Sequence, residues 1–201
     1  MIFEGSQGVL IDQDYGFHPY TTWSRVTAAN AESLIRSSEM VEEVVKIGVI
    51  RAYMVRHGPG PFPTEVDDLS FGKDHNNEGP WQGHVRYGYL DFPLLRYAIN
   101  ANHGVDALAV TCLDQVPKEK SFLVCTEYLD YPEPIPLPLD RDDQERLGRV
   151  LSGARPGYME VPYMSQNAWL MDVIETQLGA PVAIRSYGPT HLDKEAEMEL
   201  L

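Results

Sequence analysis

The chain has 201 residues, enough for one domain or one and a fraction, burying about 70% of the unfolded surface. A hydrophobic share of 43% and a charged share of 23% are those of an ordinary folded protein rather than a disordered one. Sixteen basic against thirty acidic side chains give a net charge of −14, which disfavours a general nucleic-acid binder because that class needs a basic face; a local basic pocket for a small phosphate ligand stays open. No apolar run approaches transmembrane length, and no basic–apolar–small pattern marks a signal peptide. The two cysteines, Cys112 and Cys125, have no metal-ligand spacing and sit in strand-like runs. They read as buried free thiols, which fits a reducing cytosol.

In chain order, the apolar start Ile2-Phe3 running into Glu4-Gly5-Ser6-Gln7-Gly8 predicts a strand that opens into a glycine turn. Gln7 lies between the two glycines and can both donate and accept hydrogen bonds. It either contacts a polar planar ligand or satisfies its own turn. Asp12 and Asp14 are an acid–base pair or, on the commoner reading, a loop-capping pair. Asn30 to Arg36 predicts a short helix capped by Asn30. Val44 to Val55 is a long β-rich run that leads into the rigid turn His57-Gly-Pro-Gly-Pro-Phe-Pro63. Asp67 to Gly88 is too polar for a core element and too long for a simple connector, so a functional loop is expected.

Asp91 then caps a helix with Pro93 in its first turn and Gly104 beyond its end. Leu94, Leu95, Ala98 and Ile99 form its predicted apolar face. A strand over Ala107–Thr111 and a turn over Cys112–Asp114 follow, then a strand from Ser121 to Tyr128. The alternating prolines of Tyr131–Pro138 predict an extended, non-pairing segment. A polar helix is expected over about 139–151, and an amphipathic helix over Gln166–Leu178, with Trp169, Leu170, Val173 and Ile174 inward and Gly179 as its stop. Val182–Tyr187 is the last predicted strand, and the acidic tail over about 190–201 reads as solvated helix or frayed end. The alternation of strands and helices predicts an α/β fold with a mainly parallel sheet and flanking helices, as one domain over 1–201.

Several segments, taken in order, resemble adenylosuccinate synthetase. Phe3-Glu-Gly-Ser-Gln-Gly8, Asp12-Gln-Asp-Tyr-Gly16 and Pro19-Tyr-Thr-Thr22 are similar to that family's FEGAQG, DIDHG and YPYVT stretch. His57 to Glu65 resembles its GxGPFPTE loop. Gly88-Tyr-Leu-Asp91 with Leu95-Arg-Tyr-Ala98 resembles its GWLD and LRYA helix entry, Thr111-Cys-Leu-Asp114 its TKLD, and Ser186-Tyr-Gly-Pro189 its STGP. The family joins IMP to L-aspartate with GTP and magnesium. The resemblance implies that Gln7 and Thr22 contact the substrate nucleotide and that Arg86 contacts aspartate or phosphate. It also implies that Asp114, Ser186 and Gly188 hold the purine base of GTP (or ATP). A carboxylate accepts from both the ring N–H and the exocyclic amine of guanine, a pair of donors adenine does not present. By the same resemblance, Gln7 and Asp114 are expected to face a shared purine cavity, and a cytoplasmic homodimer is expected.

The departures are equally specific. The family's GDEGKGK phosphate loop and its catalytic histidine motif do not occur in these 201 residues, which correspond to about the C-terminal half to three-fifths of a member. The TTGRPRR-type loop reads Gly79-Pro-Trp-Gln-Gly-His-Val-Arg86, and the lysine of TKLD is Cys112. Trp81 either stacks on a base or packs its loop down. These changes fit a divergent branch, such as phage-type paralogues that act on dGMP. The expectation is a ligase of this type whose nucleotide-binding walls this chain supplies; the alternative is a truncated, non-catalytic nucleotide-binding or interaction protein.

Overall fold

Three parallel strands set the layout. In the computed structural model, which describes residues 1–38, 43–67, 83–116, 122–161 and 166–197, β1 (Ile47–Arg51) pairs in parallel with β5 (Ala107–Thr111) over an unbroken register from Ile47↔Ala107 to Arg51↔Thr111. β5 pairs in parallel with β8 (Val182–Ser186), with one register shift at Leu108/Ala109. β9 (Lys194–Ala196) closes that sheet antiparallel, giving the order β1-β5-β8-β9. β5 is buried along most of its length, as expected for a central parallel strand covered on both faces. Two smaller sheets flank it. β2 (Met54–His57) pairs antiparallel with β3 (Val85–Gly88). β4 (Leu90–Asp91) pairs in parallel with β6 (Phe122–Tyr128), which pairs antiparallel with β7 (Pro156–Val161). The α/β class with a mainly parallel main sheet and flanking helices is therefore observed.

Among the described residues, four α-helices complete the frame: α1 (Ala29–Ser37), α2 (Phe92–Ala101), α3 (Arg141–Leu151) and α4 (Gln166–Leu178). α4 lays Leu170, Val173 and Ile174 into the main core with Leu108, Val110, Phe122 and Val182, and Trp169 packs partly buried beside them. Gly179 ends it at φ 68°. α3 and α2 build a second core from Leu94, Tyr97, Leu147 and Leu151 around Phe17, which is fully buried. There Gly148 of α3 passes so close that an added Cβ would stand 3.3 Å from the Phe17 Cβ. This contact clamps the early loop onto the body of the protein.

Several expectations are corrected. Met1, Ile2 and Phe3 form no strand and are exposed, because no described residue offers them a ladder, and a lone strand leaves its backbone unpaired. The N-cap of α1 is Ala28, not Asn30, whose side chain donates to the Arg25 carbonyl at 3.3 Å. The run Val44–Val55 splits into β1 and β2, because the chain leaves the main sheet at Ala52 and Tyr53 to pair with β3. α2 buries Pro93, Leu94, Tyr97 and Ala101, while Leu95, Ala98 and Ile99 are only half-buried. The apolar face is turned because the ring of Tyr97, with its hydroxyl on the Tyr15 carbonyl, takes the central core position. Part of the acidic tail forms β9, held by antiparallel pairing from Ile184↔Ala196 to Ser186↔Lys194. Of the long polar stretch, 68–82 lie outside the described residues, and so does Trp81; its last four residues are β3.

Asp91 caps α2 as predicted, accepting from the Leu94 N–H at 3.1 Å. It is fully buried, and both carboxylate oxygens also accept from the Tyr128 hydroxyl at 3.0 and 2.8 Å. Burial outweighs these bonds and pushes its carboxyl up to about 7. A raised carboxyl holds its proton better folded than unfolded, so its contribution to stability is complete below the ordinary value of 3.8 and is lost as pH rises through about 7. Asp91→Asn keeps a capping side chain and removes this titration. Urea unfolding between pH 4 and 8 should therefore show a decline in wild-type stability that the variant lacks. Parallel curves for the two proteins would show that Asp91 does not titrate in this range.

Candidate functional site

Parallel pairing brings the carboxyl ends of β1, β5 and β8 to one edge of the sheet, the side on which open α/β sheets place ligands. At the end of β5, Cys112 turns the chain with φ 61°, and a 3₁₀ turn over Leu113–Gln115 follows. Leu113 is buried, which anchors the turn and leaves Asp114 exposed beside it. The Asp114 carboxylate accepts from the Gln115 side-chain amide. At the end of neighbouring β8, Ser186 is buried and its hydroxyl donates to the Gly188 carbonyl at 3.3 Å. Gly188 is required by close approach: a Cβ there would lie 2.8 Å from the Asp193 carboxyl.

Asp193 closes a capping box with Thr190, whose backbone N–H and hydroxyl it accepts at 2.8 and 2.6 Å. These bonds hold its carboxyl below the usual range. The Lys194 ammonium donates to the Thr190 carbonyl at 3.0 Å and also to that of Gly188. The 188–194 turn is thus a braced loop. Sequence reading missed the bracing by Asp193 and Lys194, although Thr190-x-x-Asp193 is a legible capping signature.

Gln7 and Thr22 belong to a second group. Gln7 sits at φ 68° in an exposed turn, not at the tip of a strand. The Ile11 N–H donates to the Gly8 carbonyl, and the Thr22 N–H donates to the Ile11 carbonyl at 2.7 Å, so both residues belong to one hydrogen-bonded loop system. Asp12 ties that system together: fully buried, it accepts from the backbone N–H of Asp14, Tyr15 and Val26 at 2.7, 3.0 and 2.6 Å. Gly16 is obligatory, since a Cβ would stand 2.5 Å from the Asp12 carbonyl. The capping reading of Asp12 holds. Asp14 instead pairs with Arg25 at 2.7 Å.

Arg56 joins this loop to the next. It is buried, donating to the Tyr20 carbonyl at 3.4 Å and the Pro59 carbonyl at 3.1 Å. Burial, and then the neighbouring Arg86 charge, lower its guanidinium to about 10. Arg86 donates to the Gly58 and Gly60 carbonyls at 3.0 Å, forks onto both oxygens of Glu65, and stands over the Phe62 ring. The pairing raises Arg86 above its ordinary value and holds Glu65 below the usual carboxylate range. An open groove lined by Arg96, Tyr128 and Glu133 touches none of the predicted site residues. No group of three or more His, Cys, Asp or Glu placed to hold a metal ion occurs among the described residues. No described helix is long and apolar enough to cross a membrane.

A mainly parallel main sheet with flanking helices and braced polar loops at its carboxyl edge defines an α/β protein. The adenylosuccinate synthetase family profile matches residues 1–194, and the chain belongs to that family. It is 34% identical over 208 residues to the adenylosuccinate synthetase of Thermoplasma volcanium, and 34% over 192 residues to that of Thermotoga maritima. In both cases 94% of this chain and 46% of the relative are covered. The enzyme of Desulforudis audaxviator is 36% identical over 205 residues, covering 98% of this chain and 44% of the relative. The chain thus spans about half the length of the curated relatives it matches. The fully ligated adenylosuccinate synthetase of Plasmodium falciparum superposes with a TM-score of 0.72 at 22% identity, covering 96% of this chain and 49% of that one. The cyanophage S-2L succinoaminodeoxyadenylate synthetase, bound to dGMP and to dATP as an energy donor, does so at 0.55 and 18%, covering 96% and 45%. At those identities the two structures show a shared fold.

The contacts of Arg86 make a structural contribution measurable without any ligand. Arg86→Ala removes charge-assisted and carbonyl bonds together and should lower urea stability by about 1–3 kcal/mol. Arg86→Lys should recover little of it, since an ammonium cannot fork onto Glu65. Unchanged unfolding of Arg86→Ala would show that these bonds add nothing to the fold.

Proposed function

We propose that this chain forms the nucleotide-binding walls of an adenylosuccinate synthetase-type ligase of purine biosynthesis, which joins a purine nucleotide to L-aspartate. The observation that carries the proposal is the parallel pairing of β5 and β8, which sets Asp114 and the Ser186–Gly188 turn at the same sheet edge. In this reading Asp114 accepts the ring N–H and amine of the guanine of GTP, while Ser186 and Gly188 border the same base. Gln7 and Thr22, in their shared loop, take the substrate nucleotide. Arg86 meets aspartate or phosphate only by exchanging Glu65 for the ligand. The phosphate-loop groups lie in the part of the family's length that these residues do not span. Magnesium would be held there and by the nucleotide phosphates, and would supply charge neutralisation during phosphoryl transfer. The same reading makes the protein a cytoplasmic homodimer.

The dGMP and dATP bound by the cyanophage relative support testing deoxynucleotides and adenine donors beside IMP and GTP. One observation favours the non-catalytic alternative: Arg86, the arginine retained from the family loop, is engaged within the protein.

Isothermal titration with GTP, ATP, IMP and dGMP tests the proposal. GTP should bind, and Asp114→Ala should weaken it at least about tenfold, in line with loss of a charged double hydrogen bond. Gln7→Ala should weaken IMP or dGMP without changing GTP. Silence from all four ligands would refute nucleotide binding by these walls, and unchanged affinities in both variants would refute the residue assignments.

A further inference from the structure

The turn after β8 is held by a lysine that has no part in the proposed nucleotide contacts. Antiparallel pairing of β8 with β9 sets Lys194 opposite Ser186, so both side chains leave the same face of the sheet, beside Gly188. The Gly188 carbonyl accepts from the Ser186 hydroxyl at 3.3 Å and from the Lys194 ammonium. The Thr190 carbonyl accepts from the Asp193 N–H at 3.2 Å and from the same ammonium at 3.0 Å. A carbonyl oxygen has two lone pairs. Each of these acceptors is therefore fully occupied, and Lys194 supplies one of the two donors in both.

That occupancy bears on which base can lie beside the turn. With Asp114 taking the ring N–H and 2-amine of guanine, the group left on that edge of the ring is the 6-oxygen, an acceptor. Adenine carries a 6-amine there, a donor that needs an acceptor of its own. The 3₁₀ turn bearing Asp114 packs against β8, so the Ser186–Thr190 turn is the neighbouring surface. A 6-amine meets no free lone pair on either carbonyl and stands beside a cation. A 6-oxygen meets the same cation favourably. Leaving a polar group unpaired in a site costs more than losing a contact, and discriminates between ligands accordingly.

We infer that Lys194 is a specificity-determining residue: by filling the Gly188 and Thr190 carbonyls it makes the site select a 6-oxo purine triphosphate over a 6-amino one. The inference rests on the reading of Asp114 and the Ser186–Gly188 turn as the base site, and adds to it the side chain that decides between the two bases.

The test is calorimetric titration of the chain, Lys194→Met and Lys194→Arg with GTP, ITP and ATP; ITP keeps the 6-oxygen and lacks the 2-amine. The wild type should bind GTP and ITP more tightly than ATP. Lys194→Met removes the donors from an exposed side chain of similar length and should leave the circular dichroism unchanged. It should lower both the GTP:ATP and the ITP:ATP affinity ratios at least about fivefold, in line with loss of hydrogen bonds from a charged group. Lys194→Arg, which keeps the charge and the donors, should restore most of the preference. Unchanged ratios in Lys194→Met, or equal weakening of all three ligands, overturns the inference and leaves Lys194 as a brace of the turn. So does a wild type that binds ATP as tightly as ITP. Failure of the base-site reading looks different: none of the three triphosphates binds the wild type, and the inference falls with it.

Discussion

The parallel register of β1, β5 and β8 is the constraint on which the rest depends. It buries Leu108, Val110 and Val182 in one core and fixes which backbone positions reach the carboxyl edge. Asp114 and Ser186 lie far apart in sequence, and neither has a partner in the other's loop. They reach the same sheet edge because Val110 pairs with Arg185. A one-residue slip would turn every side chain of the strand to the other face. The core would then oppose any change that moved the site.

Two buried aspartates show how the same side chain serves different purposes. Asp12 meets the backbone N–H groups of Asp14, Tyr15 and Val26, and so works as a fastener for the loop that carries Gln7 and Thr22. Asp91 meets one helix N–H and one tyrosine hydroxyl. With fewer donors its burial goes less compensated, and its proton affinity rises. The start of α2 therefore responds to pH through Asp91.

The parts legible in the sequence are those that local chemistry decides. Asp91 with Pro93 marks a helix start, Gly179 a helix stop, and Ala107–Thr111 is apolar enough to be a central strand on its own. The parts that were not legible depend on remote partners. Lys194–Ala196 is charged and looks frayed, yet β8 offers it a ladder. Ile2-Phe3 is apolar and looks like a strand, yet nothing described offers it one. Tyr97 turns the buried face of α2 because it reaches the Tyr15 carbonyl, a contact that no periodicity of the helix itself could show. In the site, Asp114 and Ser186 were legible as strand-end residues, while the bracing of the Gly188 turn by Lys194 was hidden in a tail read as solvent-facing.

Arg86 shows why a matched residue is weaker support than a matched loop. A guanidinium has five N–H donors, and here Nε, Nη1 and Nη2 all hold partners: both oxygens of Glu65 and the carbonyls of Gly58 and Gly60. An incoming carboxylate or phosphate gains little from such a group until Glu65 leaves, because the ligand replaces a charge-assisted fork instead of adding one. Glu65 is half-exposed, so it can move to solvent, whereas the two carbonyls are fixed by the loop. The cost of recruiting Arg86 is therefore set by the Glu65 pair, and the loop from Gly58 to Glu65 acts as one unit. That unit, with Arg56 holding the Tyr20 and Pro59 carbonyls, links the loop that bears Thr22 to Arg86.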